Sequence, residues 1–315
     1  MNSLENLYDI AIVGSGPASF SASIYASRYR LKNIIFGRQM GGTISDTHKV
    51  CNYPGVSDIS GLELATRMYE QTKEQGAEIS LESVKDIKKE NNIFKLITDA
   101  DKEYYSKTVI IATGTKRNKL ALPREELFLG KGLSYCATCD GMFYKDKVVA
   151  VIGGSNAATM AASMLSDIAK QVYIIYRGTE LRGEPAWIEV VETKENITVL
   201  FETLVIGLEG TDRLERVKLS KAYKNSSYLD VDGVFVEIGS EPNIVLPMKL
   251  GLELDERQYI KVEKDQSTNI EGIWAAGDCT TASNDFRQVV TAVAEGAIAA
   301  NSIYVYLREH SIQSH

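Results

Sequence analysis

The stretch that decides the fold is YDIAIVGSGPAS, residues 8–19. Tyr8–Val13 is apolar and β-branched, which predicts a strand, and the small residues from Phe20 to Tyr29 predict a helix. The turn between them, Gly14-Ser15-Gly16-Pro17-Ala18-Ser19, resembles a fingerprint in which glycines let a pyrophosphate reach a helix N-terminus. Ser19 stands at the third glycine position and is small enough to keep helix and strand close. An α/β protein that binds no nucleotide can carry a similar turn, so the rest of the chain must decide.

A second opening of the same kind follows further along the chain. Val148–Ile152 predicts a strand, Gly153-Gly154-Ser155-Asn156-Ala157-Ala158 a turn, and Ala157–Asp167 a helix before the next strand. We therefore expect an α/β fold with two Rossmann-like three-layer nucleotide-binding domains. Ser155 occupies the second glycine position, where a side chain crowds a pyrophosphate. Arg177 and Arg182 follow the strand either as partners of a 2′-phosphate or as surface charges, so nicotinamide binding stays open.

Composition restricts the class of protein. The chain has 315 residues, 44% of them hydrophobic and 24% charged, which is typical of a globular protein with two domains. A net charge of -7 without a Lys/Arg cluster argues against nucleic acid as a partner. Neither a targeting leader nor an apolar run of about 20 residues is evident, so we expect no membrane span and a cytoplasmic location.

The most informative residues are Cys136 and Cys139, in the stretch SYCATCDG at residues 134–141. Zinc would need a second pair of soft ligands, and Cys51, Cys279 and the three histidines show no such spacing. Two inert buried cysteines are a further alternative. A redox pair is favoured, because two intervening residues allow a short disulfide loop at a helix start and Asp140 places a carboxyl group beside the thiols.

The remaining elements surround the first turn. The second strand ends in Gly37-Arg38 instead of the acidic residue that usually binds an adenosine ribose. Ser60-Gly61-Leu62-Glu63 is a capping box that opens a helix to about Gln75, and residues 78–105 predict a small antiparallel meander. Near the end, residues 272–278 predict a strand closed by Gly277-Asp278, and a long helix is predicted from Arg287 to about Leu307.

These motifs together resemble the low-molecular-weight thioredoxin reductases over nearly the whole chain, from Tyr8 to Leu307. The most specific matches are SYCATCDG at 134–141, AAGD at 275–278 and RQVVTA at 287–292, in the order and spacing of that family. The resemblance implies an FAD domain built from residues 1–116 and 246–315, with a second nucleotide-binding-like domain, 117–245, that carries the cysteine pair. It also implies a homodimer.

The resemblance further implies roles for individual residues. Cys139 is expected to face the flavin, Cys136 to attack the disulfide of a thioredoxin-like or glutaredoxin-like partner, and Asp140 to donate and accept the proton. FAD is expected at Gly14, Ser15, Gly16, Pro17, Ala18, Arg38, Gly41, Gly42, Thr43, Asn52, Thr113, Gly114, Gly277, Asp278, Arg287, Gln288 and Val289. If NADPH binds at all, it is expected at Gly153, Gly154, Ser155, Asn156, Arg177 and Arg182.

Several positions depart from the family pattern. In the inserted turn, Ser155 replaces the second glycine. After the next strand, Tyr176 replaces the usual His and Gly178 replaces the second Arg. Near the flavin, Thr43 replaces a Gln. Some reductases of this family have lost NADPH and accept electrons from another donor, such as a reduced ferredoxin. We therefore expect an enzyme in which NADPH use is weakened or lost.

Two other functions compete with this hypothesis. A dithiol oxidase of the same architecture would return electrons to oxygen, and rapid peroxide formation with a dithiol would favour it. A non-catalytic flavin-binding sensor or scaffold would not need Cys136 and Cys139, whose presence therefore argues against it.

Overall fold

The computed structural model describes residues 7–312, which form seventeen strands and eight helices together with short 3₁₀ turns. The strands are β1 Leu7–Val13, β2 Asn33–Phe36, β3 Glu78–Ser80, β4 Val84–Glu90, β5 Ile93–Thr98, β6 Glu103–Ile111, β7 Thr115–Arg117, β8 Leu133–Ser134, β9 Val148–Ile152, β10 Gln171–Ile175, β11 Ile197–Leu200, β12 Val205–Glu209, β13 Arg216–Tyr223, β14 Ser226–Asp230, β15 Gly233–Val236, β16 Ser240–Pro242 and β17 Ile273–Ala275. The helices are α1 Pro17–Arg28, α2 Gly61–Glu74, α3 Glu125–Phe128, α4 Ala137–Asp140, α5 Asn156–Ser166, α6 Pro185–Thr193, α7 Val245–Leu250 and α8 Val289–Ile312.

The chain divides into two compact units. The first contains the residues up to Lys116 and those from Glu241 onward, and the second contains Arg117–Ser240. The chain thus passes into the second unit after Lys116 and returns to the first at Glu241.

The first unit is built on a mixed sheet with the strand order β3-β2-β1-β6-β5-β4, in which β17 also pairs with β6. Strands β3, β2, β1, β6 and β17 run parallel, because their connections include crossover helices, and β4 and β5 are antiparallel additions. One core packs α1, α2 and α8 against one face, and a second core lies on the other face. The expected antiparallel meander is therefore confirmed for β4–β6 but wrong for β3, which pairs in parallel with β2.

The second unit repeats the arrangement with a parallel sheet in the order β11-β10-β9-β15-β8. Strands β12, β13 and β14 form a separate antiparallel sheet that shares a core with it. The strand predicted at Val148–Ile152 is β9, and the helix predicted at Ala157–Asp167 is α5, which begins one residue earlier. Both units are thus of the α/β class expected from the two glycine turns.

Within residues 7–312, one helix is long and apolar enough to span a membrane, by length and composition alone. This segment is Val289–His310 in α8, and 33% of it is buried inside the structure. The expectation that no run of this length and apolarity exists is therefore wrong. Core helices of soluble proteins have the same composition, because a helix that is apolar on most sides is often buried.

A substitution at Gly14 tests whether the first turn depends on close contact between backbone atoms. Its φ is +125°, and a Cβ at this position would lie 2.0 Å from the carbonyl oxygen of Ala112, directly after β6. We expect Gly14→Ala to lower the free energy of unfolding by about 3 kcal/mol or more, since a backbone atom must move in addition to the backbone strain. Urea denaturation measures this.

Gly76→Ala is the matched control. Gly76 also has a positive φ, +85°, but a Cβ there meets nothing within 4 Å. This variant should lose only the strain of about 1 kcal/mol. Equal losses in the two variants would show that the contact with Ala112 does not constrain the turn.

Candidate active site

The cysteine pair lies at the start of α4. Cys136 and Cys139 form a disulfide with their Cα atoms 5.3 Å apart. Cys136 is the N-cap residue, and its Sγ accepts a hydrogen bond from the Cys139 backbone N–H at 3.2 Å. Cys136 is half-buried and Cys139 is exposed. The sequence prediction of a short disulfide loop at a helix start is confirmed.

The rest of the motif anchors the pair to the second unit. Ala137 is buried in the core beside α5, and a Cβ on Gly141 would lie 3.0 Å from the Met164 side chain. The Tyr144 ring packs edge-on against Phe235 and lies where a Cβ on Gly233 would be, 2.2 Å away. The small residues of the motif therefore let α4 pack closely against the core.

The backbone of Cys136 is held by its neighbours. The Cys136 N–H donates to Ser134 Oγ at 3.0 Å, and the same hydroxyl donates to the Cys136 carbonyl oxygen at 3.2 Å. The Asp140 N–H also donates to that carbonyl, at 3.2 Å. Cys136 is thus fixed in an extended conformation, with φ −137° and ψ 96°.

The first glycine turn joins β1 to α1 through backbone contacts. The Ser15 hydroxyl donates to the carbonyl of Gln39 at 2.6 Å, and the Gly41 N–H donates to the Ser15 carbonyl at 2.7 Å. A Cβ on Gly37 would lie 2.3 Å from Ser15 Oγ. The position directly after β2, where the sequence lacks the expected acidic residue, is therefore a glycine because Ser15 packs against it.

A second glycine pair lies next to this turn. A Cβ on Gly42 would be 3.7 Å from the Cα of Gly16, and a Cβ on Gly16 would be 3.7 Å from the Gly41 carbonyl, with nothing nearer. The two turns thus approach each other through backbone atoms, because no side chain lies within 4 Å of a Cβ at Gly16 or Gly42. Arg38, predicted to bind the cofactor, forms an ion pair with Asp99 and is largely exposed.

Residues from distant parts of the chain meet at the C-terminal end of β17. The Asn52 amide donates to Gln288 Oε1 at 3.0 Å, and Arg287 Nε donates to the carbonyl of Asp278 at 3.3 Å. Burial raises the pKa of Asp278 to about 6, although Arg287 acts in the opposite direction. The structure therefore brings together three regions that the sequence predicted for one site, namely those at residues 52, 278 and 287–288.

Glu295 is a residue that the sequence analysis missed. It is buried within α8, where its carboxylate accepts from the Gly277 N–H at 2.7 Å and from the Ser283 hydroxyl at 2.6 Å. It therefore fixes the loop that carries Asp278. The sequence indication was a lone acidic residue in the small, apolar run TAVAEGAIAA, residues 291–300.

The second glycine turn differs from the first in what covers it. The Tyr176 ring lies directly against the turn, since a Cβ on Gly154 would be 2.5 Å from the ring. A Cβ on Gly178, after β10, would also be 2.5 Å from the ring. The Arg182 N–H donates to the Gly154 carbonyl at 2.7 Å, and residues 155 and 182 form a parallel bridge. Both Arg177 and Arg182 are exposed. The chain that follows β10 thus folds onto this turn.

Comparisons with known proteins agree on one family. The family described as pyridine nucleotide-disulphide oxidoreductase matches residues 8–296. A thioredoxin reductase of Peptoclostridium litorale is 39% identical over 319 residues, which covers 97% of this chain and 99% of that protein. The crystal structure of Lactococcus lactis thioredoxin reductase matches with a TM-score of 0.91 and 33% identity, over 96% of this chain and 99% of that one. A ferredoxin-flavin thioredoxin reductase of Clostridium acetobutylicum, 33% identical over 97% and 99% of the two chains, matches with a TM-score of 0.53.

The raised pKa of Asp278 predicts a pH dependence of stability in the ligand-free protein. The folded chain keeps this proton up to about pH 6, whereas the unfolded chain releases it near the ordinary value of 3.8. Between these values the folded state binds more protons, so the free energy of unfolding falls as pH rises. Asp278→Asn should remove this fall, which is on the order of 2–3 kcal/mol.

Urea denaturation on both sides of that pH window measures the difference. Asp212→Asn, which neutralises an exposed carboxyl group in the second unit, is the control and should leave the slope unchanged. A slope that persists in Asp278→Asn would contradict the assignment.

Proposed function

Because the chain belongs to the pyridine nucleotide-disulphide oxidoreductase family, and within it to the low-molecular-weight thioredoxin reductases, we propose that it reduces a thioredoxin through Cys136 and Cys139. The observation that carries this proposal is the Cys136–Cys139 disulfide at the start of α4. A glutaredoxin-like protein is the alternative substrate. We place the reaction in the cytoplasm and the active protein in a homodimer.

The cysteine pair would do the chemistry in three balanced steps. The disulfide accepts two electrons and two protons and becomes a dithiol. The Cys136 thiolate then attacks the disulfide of the partner. An S–S bond forms between Cys136 and one partner sulfur, while the S–S bond within the partner breaks. Cys139 finally attacks the mixed disulfide at Cys136, which restores the enzyme disulfide and releases the partner as a dithiol. Asp140, within the same turn, would accept and return the proton.

The first unit fits the FAD that this family uses. A pyrophosphate needs backbone approach without side chains, and the backbone at Gly16 and Gly42 has no side chain within 4 Å of a Cβ placed there. Ser19 Oγ is buried beside this turn with no hydrogen-bond partner among residues 7–312. The half-buried Asp278 carboxyl group would accept hydrogen bonds from a polyol chain, and the start of α8 at Gln288 and Val289 would face the ring. When bound, FAD supplies the two electrons that reduce the disulfide.

We propose that NADPH is a poor donor for this enzyme. Ser155 adds a side chain at the position where backbone must approach a pyrophosphate, and Tyr176 covers Gly154. Arg177 and Arg182 remain, but Gly178 stands where the family has a further arginine, so the positive charge available to a 2′-phosphate is reduced. The match to a ferredoxin-flavin thioredoxin reductase supports a protein donor such as ferredoxin.

The donor is tested by anaerobic reduction of the purified yellow protein. NADPH and NADH should leave the flavin absorbance near ~450 nm largely unchanged, while dithionite should bleach it. The triple variant Ser155→Gly, Tyr176→His, Gly178→Arg should accelerate bleaching by NADPH at least about tenfold, because it opens the turn and adds a cation, with little change for NADH. Prompt bleaching of the unaltered protein by NADPH would overturn this proposal.

The cysteine pair is tested by turnover of thioredoxin with dithionite-reduced protein. Cys136→Ser and Cys139→Ser should each lower the rate at least about a hundredfold, since both thiols are needed for the exchange. Cys51→Ser is the control, because Cys51 is the exposed cysteine outside the pair, and it should retain the activity. Turnover that survives in Cys139→Ser would refute the mechanism, and rapid peroxide formation with a dithiol would favour an oxidase.

A further inference from the structure

The two residues before Cys136 are both anchored, and Tyr135 is anchored by a buried acidic side chain. The Tyr135 hydroxyl donates to Glu125 Oε1 and accepts from the Leu120 N–H at 3.1 Å. The other carboxyl oxygen, Glu125 Oε2, accepts from the Leu122 N–H at 3.2 Å. Glu125 is only 7% exposed. A buried carboxyl group with these partners holds the tyrosine in one place, because leaving any of them unpaired would cost free energy.

The Tyr135 hydroxyl keeps its proton in this network. Burial and then the hydrogen bond to Glu125 raise the pKa of Tyr135 above its ordinary value. The ring also packs against the core of the second unit. Tyr135 is therefore a fixed point one residue away from a cysteine that must react.

The need for such a fixed point arises when the disulfide opens. In the oxidised protein, the covalent bond to Cys139 restrains Cys136 from its C-terminal side. Reduction removes that bond. The backbone of Cys136 is then held by its hydrogen bonds to the Ser134 hydroxyl and to the Asp140 N–H, and by the anchored Tyr135 next to it. Attack on a protein disulfide requires three sulfur atoms in line, so the position of this thiolate sets the rate.

We propose that Tyr135 and Glu125 are positioning residues that hold the reduced Cys136 in the geometry for attack on the partner disulfide. This inference rests on the proposed function, because it assigns the residues to the thioredoxin step. The step itself is unchanged: the S–S bond of the partner breaks as the bond between Cys136 and the partner forms. Tyr135 and Glu125 exchange no electrons and touch no reacting atom.

The test uses the flavin-loaded full chain, reduced with dithionite and mixed with oxidised thioredoxin in a stopped-flow instrument. Tyr135→Phe removes only the hydroxyl group, and we expect the single-turnover rate at saturating thioredoxin to fall about tenfold. Glu125→Ala should give a similar loss. Glu125→Gln, which keeps an acceptor for the tyrosine, should recover most of the rate. The double variant of Tyr135→Phe and Glu125→Ala should be no slower than either single variant, since the two side chains act through one hydrogen bond.

Two controls separate positioning from other effects. Tyr173→Phe removes a hydroxyl group from another tyrosine packed against the same core and should leave the rate unchanged. With the small disulfide 5,5′-dithiobis(2-nitrobenzoate), the rates of Tyr135→Phe and the unaltered protein should agree within about twofold, because a mobile substrate can align itself. Equal slowing with both substrates would mean altered thiol reactivity and would overturn the proposal.

The outcomes also distinguish this proposal from the proposed function. If the unaltered reduced protein does not reduce thioredoxin, the function itself fails. If it does, and Tyr135→Phe matches Tyr173→Phe, only the positioning role fails. Should Glu125→Ala not fold, Tyr135→Phe and Glu125→Gln still decide the question.

Discussion

Both units depend on the same constraint, in which a glycine places backbone directly against backbone where a strand ends. A Cβ on Gly14 would lie 2.0 Å from the Ala112 carbonyl, and one on Gly153 would lie 2.1 Å from the Glu237 carbonyl. In each unit the crossover helix then starts immediately, with α1 after the first turn and α5 after the second. Because the neighbouring parallel strand ends at the same level, this contact fixes the edge of the sheet at which ligands bind.

The two units share this backbone contact but differ in the side chains that surround their glycine turns. In the first unit the backbone of Gly16 lies close to that of Gly41 and Gly42, with no side chain within 4 Å of a Cβ at Gly16 or Gly42. The half-buried Asp278 precedes α8 in the same unit. The second turn is covered by Tyr176 and by the segment that ends at Arg182. What the second unit offers instead is the cysteine pair, packed against its core through Ala137, Gly141 and Tyr144.

The sequence predicted the elements whose causes are local. The capping box is one example, since the Ser60 hydroxyl accepts from the Glu63 N–H at 3.1 Å and α2 begins at the next residue. The two glycine turns and the disulfide loop could likewise be predicted from residues adjacent in sequence. The sequence could not show that β3 pairs with β2 in parallel, because a three-residue strand carries no indication of its partner. Nor could it show why Gly37 is a glycine, since Ser15 lies far away in sequence.

Long-range polar contacts were the other part that escaped prediction. The ion pair of Arg38 with Asp99 was not predicted, and neither was the role of Glu295 in organising the loop at Asp278. Glu125 and Tyr135 are ten positions apart and meet because the intervening α3 and β8 fold back on the same core. Such pairs depend on tertiary structure, and hydrophobic periodicity carries no information about them.

The account rests on Cys136 as the residue that bonds to the partner, and trapping the mixed disulfide tests this most directly. Reduced Cys139→Ser protein is mixed with a thioredoxin that carries a single activated cysteine, and the product is examined by mass spectrometry without reductant. The account predicts one covalent adduct per chain that maps to Cys136, with no adduct at that site for Cys136→Ser. An adduct at Cys51 or Cys279, or one formed only by Cys136→Ser through Cys139, would contradict it.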